Sequence, residues 1–486
     1  MGTILGSLQP AALWNHFEEI CKIPHPSKHE EKLREYVVGW AKSLDMKPIV
    51  DEVGNVIIRK PATPGMENRK GIILQGHLDM VPQKNSDIPH DFEKDPIIPW
   101  IDGEWVKAKG TTLGADNGIG LAAIMAVLEA KNLVHGQVEA LFTVDEETGM
   151  TGAFGLKPGL LTGDILMNLD SEDEGELYVG CAGGTNANMK FKYATESVPV
   201  GSEAFKVSVT GLKGGHSGVD IALERGNSNK ILNRILWFAH KHFGLRLVSI
   251  EGGTLRNAIP RESYAVVTIP KDKVAAFNKF VEEFHAIVVN EYKGVETDIK
   301  ITLETVPVPA NVIDLRTTFN FLNAIYATPN GVIRDSQDMK GLVETSTNLA
   351  IIKSQNNEIT VQCLLRSSVD SAKDDLERMI ESVYNIAGAE SVFNGQYPGW
   401  KPNMASSILK EMLAAYEKQF GNKPKIAAIH AGLECGLLGG VYKNFDMISF
   451  GPTIRFPHSP DEKVNIPSVK KFWDFLVETL KNAPKK

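Results

Sequence analysis

Three apolar runs in the first part of the chain end in histidine or carboxylate side chains: GIILQGHLD closes on His77 and Asp79, VEALFTVDEE on Glu146 and Glu147, and DILMNLD on Asp170. Helical apolar spacing runs through 11–22, 30–44 and 116–130 around them, and GNVIIRK reads as a further strand. Strands and helices in alternation fold as α/β layers, with helices covering a sheet. In an open sheet of that kind ligands bind beyond the carboxyl ends of the strands, so these residues, distant in sequence, are expected at one rim.

A chain of 486 residues exceeds a single hydrophobic core, and two or three domains are expected. From about 191 to 389 the pattern changes: KFKYATE, AFKVSVTGL, SYAVVTIP, TDIKITLE, NLAIIKSQ and EITVQCLLRS alternate as half-exposed strands do, with two helices, near 227–241 and 373–386, between them. This reads as an inserted α+β lid holding two similar strand-helix-strand units. After Tyr397 the α/β rhythm returns with a helix at 406–419, strands at KIAAIH and FDMISFG, and a closing helix at 468–480. The expected architecture is α/β: a discontinuous catalytic domain, residues 1–188 and 393–486, on a mixed sheet flanked by helices, with a lid domain at 189–392.

The charge balance, 52 basic against 60 acidic residues, leaves no surplus to neutralise a phosphate backbone, so no nucleic-acid partner is expected. The longest apolar stretch, 119–128 with its flanks, falls short of the roughly 20 residues a membrane helix needs, and MGTILGSLQP lacks a basic region followed by an apolar run. A cytoplasmic protein without a membrane partner is expected. Its four cysteines are scattered without CxxC spacing, as reduced packing residues are.

Asp116 follows GTTLGA at a helix start, and His458 lies just beyond FDMISFG in GPTIRFPHSPDE. The rim then gathers two imidazoles and at least four carboxylates. Crowding these groups costs several kcal/mol of repulsion unless some bind protons or cations neutralise them. Oxygen and imidazole donors suit zinc, with manganese or cobalt as substitutes. Singly, each residue has a plainer reading: Asp116 as a helix N-cap, Glu146 and Glu147 as a solvated turn, His77 or His458 as hydrogen-bonded structural histidines. Their joint occurrence at strand ends, beside the glycine-rich GTTLGADNGIG, favours a metal pair.

The strings QGHLDMVPQ, GTTLGADNGIG, TVDEETGMTGA, NLDSEDEGE, GLKGGHSG, GGTLRNAIPR, HAGLECG and GPTIRFPHSPDE run in order along nearly the whole chain. They resemble the motifs of the aminoacyl-histidine, or cytosol non-specific, dipeptidases within the aminoacylase/carboxypeptidase-like group of dinuclear zinc hydrolases. The resemblance implies two Zn2+ per chain bridged by Asp116, one also held by His77 and Asp170, the other by Glu147 and His458. It implies Glu146 as general base, Asp79 as the partner of the second His77 nitrogen, His216 as the oxyanion donor, and Asn257, Arg366 and Gly432 as substrate ligands. A homodimer is implied too. The expected activity is hydrolysis of unblocked dipeptides, including Xaa-His dipeptides such as carnosine, through a metal-activated water. Deacylation of N-acyl amino acids, or release of one C-terminal residue from a longer peptide, needs the same metals and carboxylate anchor. A metal-binding scaffold without catalysis would have no need of Glu146 beside its ligands.

Overall fold

The computed structural model describes residues 4–486; Met1–Thr3, at the head of MGTILGSLQP, lie outside the described residues. Two compact units divide the chain, one made of Met1–Gly180, Trp400–Ala428 and Leu433–Lys486, the other of Cys181–Gly399 and Ile429–Gly432.

Parallel strands form the centre of the first unit because helical crossovers carry the chain back between them. The eight-stranded sheet runs in the order Ile49–Val50, Val56–Lys60, Val138–Thr143, Ile72–His77, Ile165–Asn168, Asp446–Ser449, Glu176–Cys181, Lys425–Ile429. Ile72 is level with Val138 and Ile165, and Ile165 with Asp446, in parallel register. His77, Thr143, Asn168 and Ser449 therefore end their strands at the same edge. Val56–Lys60 pairs antiparallel to Val138–Thr143, which makes the sheet mixed. The strands at 72–77, 138–143 and 165–168 are buried throughout, as parallel strands covered on both faces must be. The Ala115–Glu129 helix is buried from Ala115 to Leu128, so its apolar residues surround it instead of forming a stripe. Gly120 lets it sit close to the sheet, since a Cβ there would lie 2.6 Å from the Leu169 carbonyl oxygen.

The second unit carries an antiparallel sheet of nine strands. Its order is Lys300–Val306, Ser202–Thr210, Ser263–Pro270, Arg246–Gly252, Val343–Gln355, Glu358–Ser367, Gly183–Lys192, Glu390–Tyr397, with Gly331–Asp335 paired beside Val343–Gln355. The longest hairpin turns through Asn356 and Asn357, both at positive φ, which matches the twist of the strands it joins. KFKYATE is split: one strand stops at Lys192 and a short one, Thr195–Ser197, pairs with Asn311–Ile313.

Four long helices pack on this core where two were expected. Ser228–Phe243 and Asp370–Ile386 are the expected pair; Val274–Tyr292 and Leu315–Ala327 are additional. The reason lies in composition. Val274–Tyr292 is rich in valine and phenylalanine and Leu315–Ala327 in threonine, phenylalanine and asparagine, residues with weak helix preference. Burial of Phe277, Val281, Phe284 and Val288 on one stripe outweighs that preference, since each such side chain contributes about 1.5–3 kcal/mol when removed from water. All four cysteines are buried and unbridged. Among the described residues no helix is long and apolar enough to cross a membrane.

Candidate metal centre

Every residue read as a metal ligand lies in the first unit, and the strand ends deliver them. His77 is the last residue of its strand and is level with Thr143, four residues before Glu147. Asp170 follows Asn168 by two. Asp116 stands at the head of its helix in a non-helical conformation, φ −83° and ψ 107°. His458 sits between the short strands Ile454–Arg455 and Lys463–Asn465 with φ 57°.

Asp116 has one oxygen for each of two groups. His77 Nε2 lies 3.2 Å from Asp116 Oδ1 and 3.2 Å from Asp170 Oδ1, while His458 Nε2 lies 3.2 Å from Asp116 Oδ2 and 3.0 Å from Glu147 Oε2. Ligand atoms of His77, Asp116 and Asp170 fall within 4.8 Å of one another, as do those of Asp116, Glu147 and His458, and those of His77, Glu146 and Glu147. Buried Glu147 Oε1 and Asp170 Oδ1 accept no hydrogen bond. Left to one another, the imidazoles and several of the carboxylates hold protons, while Asp116, despite its burial, is kept below the usual carboxylate range by His458 and His77. Hydrogen bonds that His458 donates to the Asp116 and Glu147 carboxylates push it up to about 11. Burial pushes Asp170 up to about 8 and Glu146 well above the carboxylate range, and neighbouring carboxylates add to both shifts. His77, although buried, is also raised by Asp170 and Asp116. Two imidazoles, four carboxylates and two orphaned carboxylate oxygens fit a pair of divalent cations, which would replace those protons.

Asp79 does more than face His77. His77 Nδ1 is 3.0 Å from the Asp79 carbonyl oxygen and 3.3 Å from its Oδ1. The Asp79 carboxylate also accepts from the amides of Glu146 (2.9 Å) and Glu147 (3.1 Å) and from Ser27 Oγ (2.8 Å). One side chain thus fixes both an imidazole and the turn that carries two acidic residues.

Sequence reasoning passed over Glu462, four residues beyond His458. Its buried carboxylate accepts from four successive amides, those of Leu113 and Gly114 at Oε2 (2.7 and 3.0 Å) and of Ala115 and Asp116 at Oε1 (2.8 and 3.2 Å). It holds Asp116 in place through the backbone. Glu462→Ala leaves four buried donors without an acceptor, each worth about 1–3 kcal/mol if unsatisfied. The expected result is a loss of at least about 3 kcal/mol in urea unfolding of this unit together with reduced metal content; unchanged stability and metal content would contradict it. The signal available in sequence was only the acidic end of HSPDE. Glu434, in HAGLECG, was also passed over. It is buried among Gln75 and Thr143, and burial pushes it up to about 7.

The second unit holds His216, Asn257, Arg366 and Gly432. His216 Nδ1 accepts from the amides of Gly218 (3.2 Å) and Val219 (3.0 Å). Burial and the nearby Arg366 charge lower its pKa, so the ring is neutral with its proton on Nε2, as a donor. Arg366 is 5% exposed. It reaches Tyr397 Oη at 3.3 Å and Ser217 Oγ at 3.4 Å, its Nε has no partner, and among the described residues no carboxylate pairs with it. A buried guanidinium in that position needs an anion. Gly218 is required where these side chains meet: a Cβ there would lie 2.0 Å from the His430 carbonyl oxygen, 3.1 Å from His216 Cε1 and 3.2 Å from Arg366 Nε. His430, a further residue that the sequence did not single out, is 2.7 Å from Ser346 Oγ and is pressed down to about 3 by burial and then by Arg366. Asn257 is exposed, and its carbonyl oxygen accepts from the Ser217 amide at 2.8 Å. Gly432 ends the short Ile429–Gly432 segment, two residues before the Glu434–Val441 helix.

Comparison with known proteins fits this arrangement. The model for "Peptidase family M20/M25/M40" matches residues 73–482. The cytosol non-specific dipeptidase of Escherichia coli (strain K12) is 50% identical over 482 residues, 99% of each chain. The crystal structure of aminoacylhistidine dipeptidase from Vibrio alginolyticus is 51% identical, with a TM-score of 0.95 over 99% of this chain and 98% of that one. Aminopeptidase PepT from Bacillus cereus, 18% identical, shares the fold with a TM-score of 0.62 over 98% and 100% of the two chains.

Proposed function

Because the chain belongs to peptidase family M20/M25/M40, we propose that it is a dinuclear zinc dipeptidase acting on unblocked dipeptides, Xaa-His dipeptides such as carnosine among them. The observation that carries this reading is Asp116, whose two oxygens serve two separate ligand groups. His77 and Asp170 would hold one ion with Asp116, and Glu147 and His458 the other, with cobalt or manganese as substitutes for zinc. Bound there, two ions supply Lewis acidity and lower the pKa of water toward neutrality. Glu146 takes the water's proton at a carboxylate oxygen and delivers it to the leaving amine nitrogen, a role open to a carboxylate beside a ligand and not itself a ligand. Asp79 keeps His77 and the Glu146–Glu147 turn oriented. His216 donates from Nε2 to the developing oxyanion. Arg366 holds the C-terminal carboxylate through parallel hydrogen bonds, with Asn257 and the backbone at Gly432 completing the substrate contacts. We place the enzyme in the cytoplasm as a homodimer, in keeping with its resemblance to the cytosol non-specific dipeptidase.

The test is hydrolysis by zinc-loaded protein of carnosine, other dipeptides, tripeptides, N-acetyl amino acids and a C-terminally amidated dipeptide. Free dipeptides are expected to be the preferred substrates and the amide a poor one. Arg366→Ala should raise KM for free dipeptides by roughly 10- to 100-fold, because a charge-assisted contact made in ground and transition states alike is lost. Equal cleavage of amide and free acid by the wild type would remove the carboxylate anchor and favour an open-ended aminopeptidase.

A further inference from the structure

The segment 213–226 carries His216 on a loop that is closed at its base. Buried Glu296 accepts from the Lys213 amide at Oε2 (2.8 Å) and from the Gly226 amide at Oε1 (2.9 Å), so one carboxylate ties the two ends together. Gly215 and His216 pair with Ile259 and Ala258 in a short ladder, and the Ser217 amide donates to the Asn257 carbonyl oxygen at 2.8 Å. Loops of this length with joined ends hold their shape through their own contacts. What these ties leave open is the turn from His216 to Asp220.

That turn holds the His216 ring. Nδ1 accepts from the amides two and three residues on, those of Gly218 and Val219, much as an N-cap side chain grips the start of a helical turn. With Nδ1 so occupied, the direction of Nε2 and its proton is set by where those two amides stand. Asp220 fixes them. Its amide donates to the His216 carbonyl oxygen at 3.1 Å, and its Oδ2 accepts from the His216 amide at 2.8 Å. Backbone and side chain of one residue thus close the turn from both directions.

A plainer role is open to Asp220, as N-cap of the short helical turn Ile221–Leu223, but its side chain makes no capping hydrogen bond. It turns back instead. Arg225 Nη1 lies 3.5 Å from Asp220 Oδ2 while donating to the Gly214 carbonyl oxygen, which holds the carboxylate in that place. Gly215, at φ 144°, makes the room: a Cβ there would lie 2.6 Å from Asp220 Oδ2 and 2.3 Å from Arg225 Nη1. We propose that Asp220 is a positioning residue for the reaction, closing the turn that grips His216 Nδ1 and so aiming Nε2 at the developing oxyanion. The inference rests on the dipeptidase reading, in which His216 is that donor. A donor aimed at charge that appears only in the transition state acts on kcat and not on substrate binding.

The experiment compares zinc-loaded wild type, Asp220→Ala, Asp220→Asn, His216→Ala and the variant carrying both alanines on alanyl-histidine, and follows metal content and amide hydrogen exchange across 217–220. Asp220→Ala is expected to lose kcat by roughly 10- to 100-fold, less than the about 10²- to 10³-fold of losing the donor itself, with KM and metal content close to wild type. Exchange should quicken at Gly218 and Val219 and not through the rest of the second unit. Asp220→Asn keeps an oxygen for the His216 amide and should restore most of both. In protein already lacking the imidazole, Asp220→Ala should cost nothing further. Should Asp220→Ala fail to fold, Asp220→Glu, which keeps the charge and shifts the oxygen by one methylene, is expected to show the same losses. Full kcat in the Asp220 variants, an equal loss with and without the imidazole, or exchange that rises throughout the unit would overturn the proposal and leave the dipeptidase reading intact. A wild type that does not cleave dipeptides, or His216→Ala with undiminished kcat, would remove the role given to His216 and this inference with it.

Discussion

Glu146→Gln is expected to lose at least about a hundredfold in turnover while retaining its metal, because proton transfer by a positioned side chain contributes 10²- to 10⁴-fold and the amide cannot accept the water's proton. Glu147→Ala should behave differently. Glu147 Oε2 lies 3.0 Å from His458 Nε2 in the group that shares Asp116, so removing it should deplete metal first and activity as a consequence. The two residues are adjacent, their amides rest on the same Asp79 carboxylate, and both are partly exposed. Only the measurement of metal content beside turnover separates them. A Glu146→Gln protein stripped of metal, with Glu147→Ala fully loaded, would reverse the assignment of base and ligand.

The strand-end residues were legible in sequence because apolar runs of strand length end on them, and parallel strands must end at a common edge. His77, Glu147 and Asp170 could be grouped on that ground alone. Asp116 stands at a helix start, where a plain N-cap reading serves as well, and His458 lies in a loop whose path is not periodic; the resemblance made Asp116 the bridge and tied His458 to one ion. Arg366 changes meaning once its surroundings are known. In sequence it was as readily a surface ion pair; in the fold it is buried, and among the described residues no carboxylate pairs with it. His216 gains its tautomer from two backbone amides, which no pattern of side chains could announce. Glu462 and Glu434 stayed hidden for the same reason: one acts on four backbone amides, the other through strands more than 290 residues away in the chain. The additional helices Val274–Tyr292 and Leu315–Ala327 were obscured because tertiary burial overrides their local preference.

Removing the metals carries the largest expected effect. The ligand shell collects more negative charge than its own histidines neutralise, and both Asp116 oxygens are committed to separate groups. Without the ions nothing in the site lowers the pKa of water toward neutrality or polarises the scissile carbonyl, and Glu146 alone has too weak a nucleophile to work on. Chelation should therefore abolish hydrolysis. The most direct test is to strip the protein with a chelator, add zinc back in measured amounts, and follow bound ions per chain together with dipeptide hydrolysis. The account predicts no hydrolysis by the stripped protein and full recovery only as the count approaches about two ions per chain; hydrolysis by the metal-free chain, or full activity with a single ion bound, would contradict it.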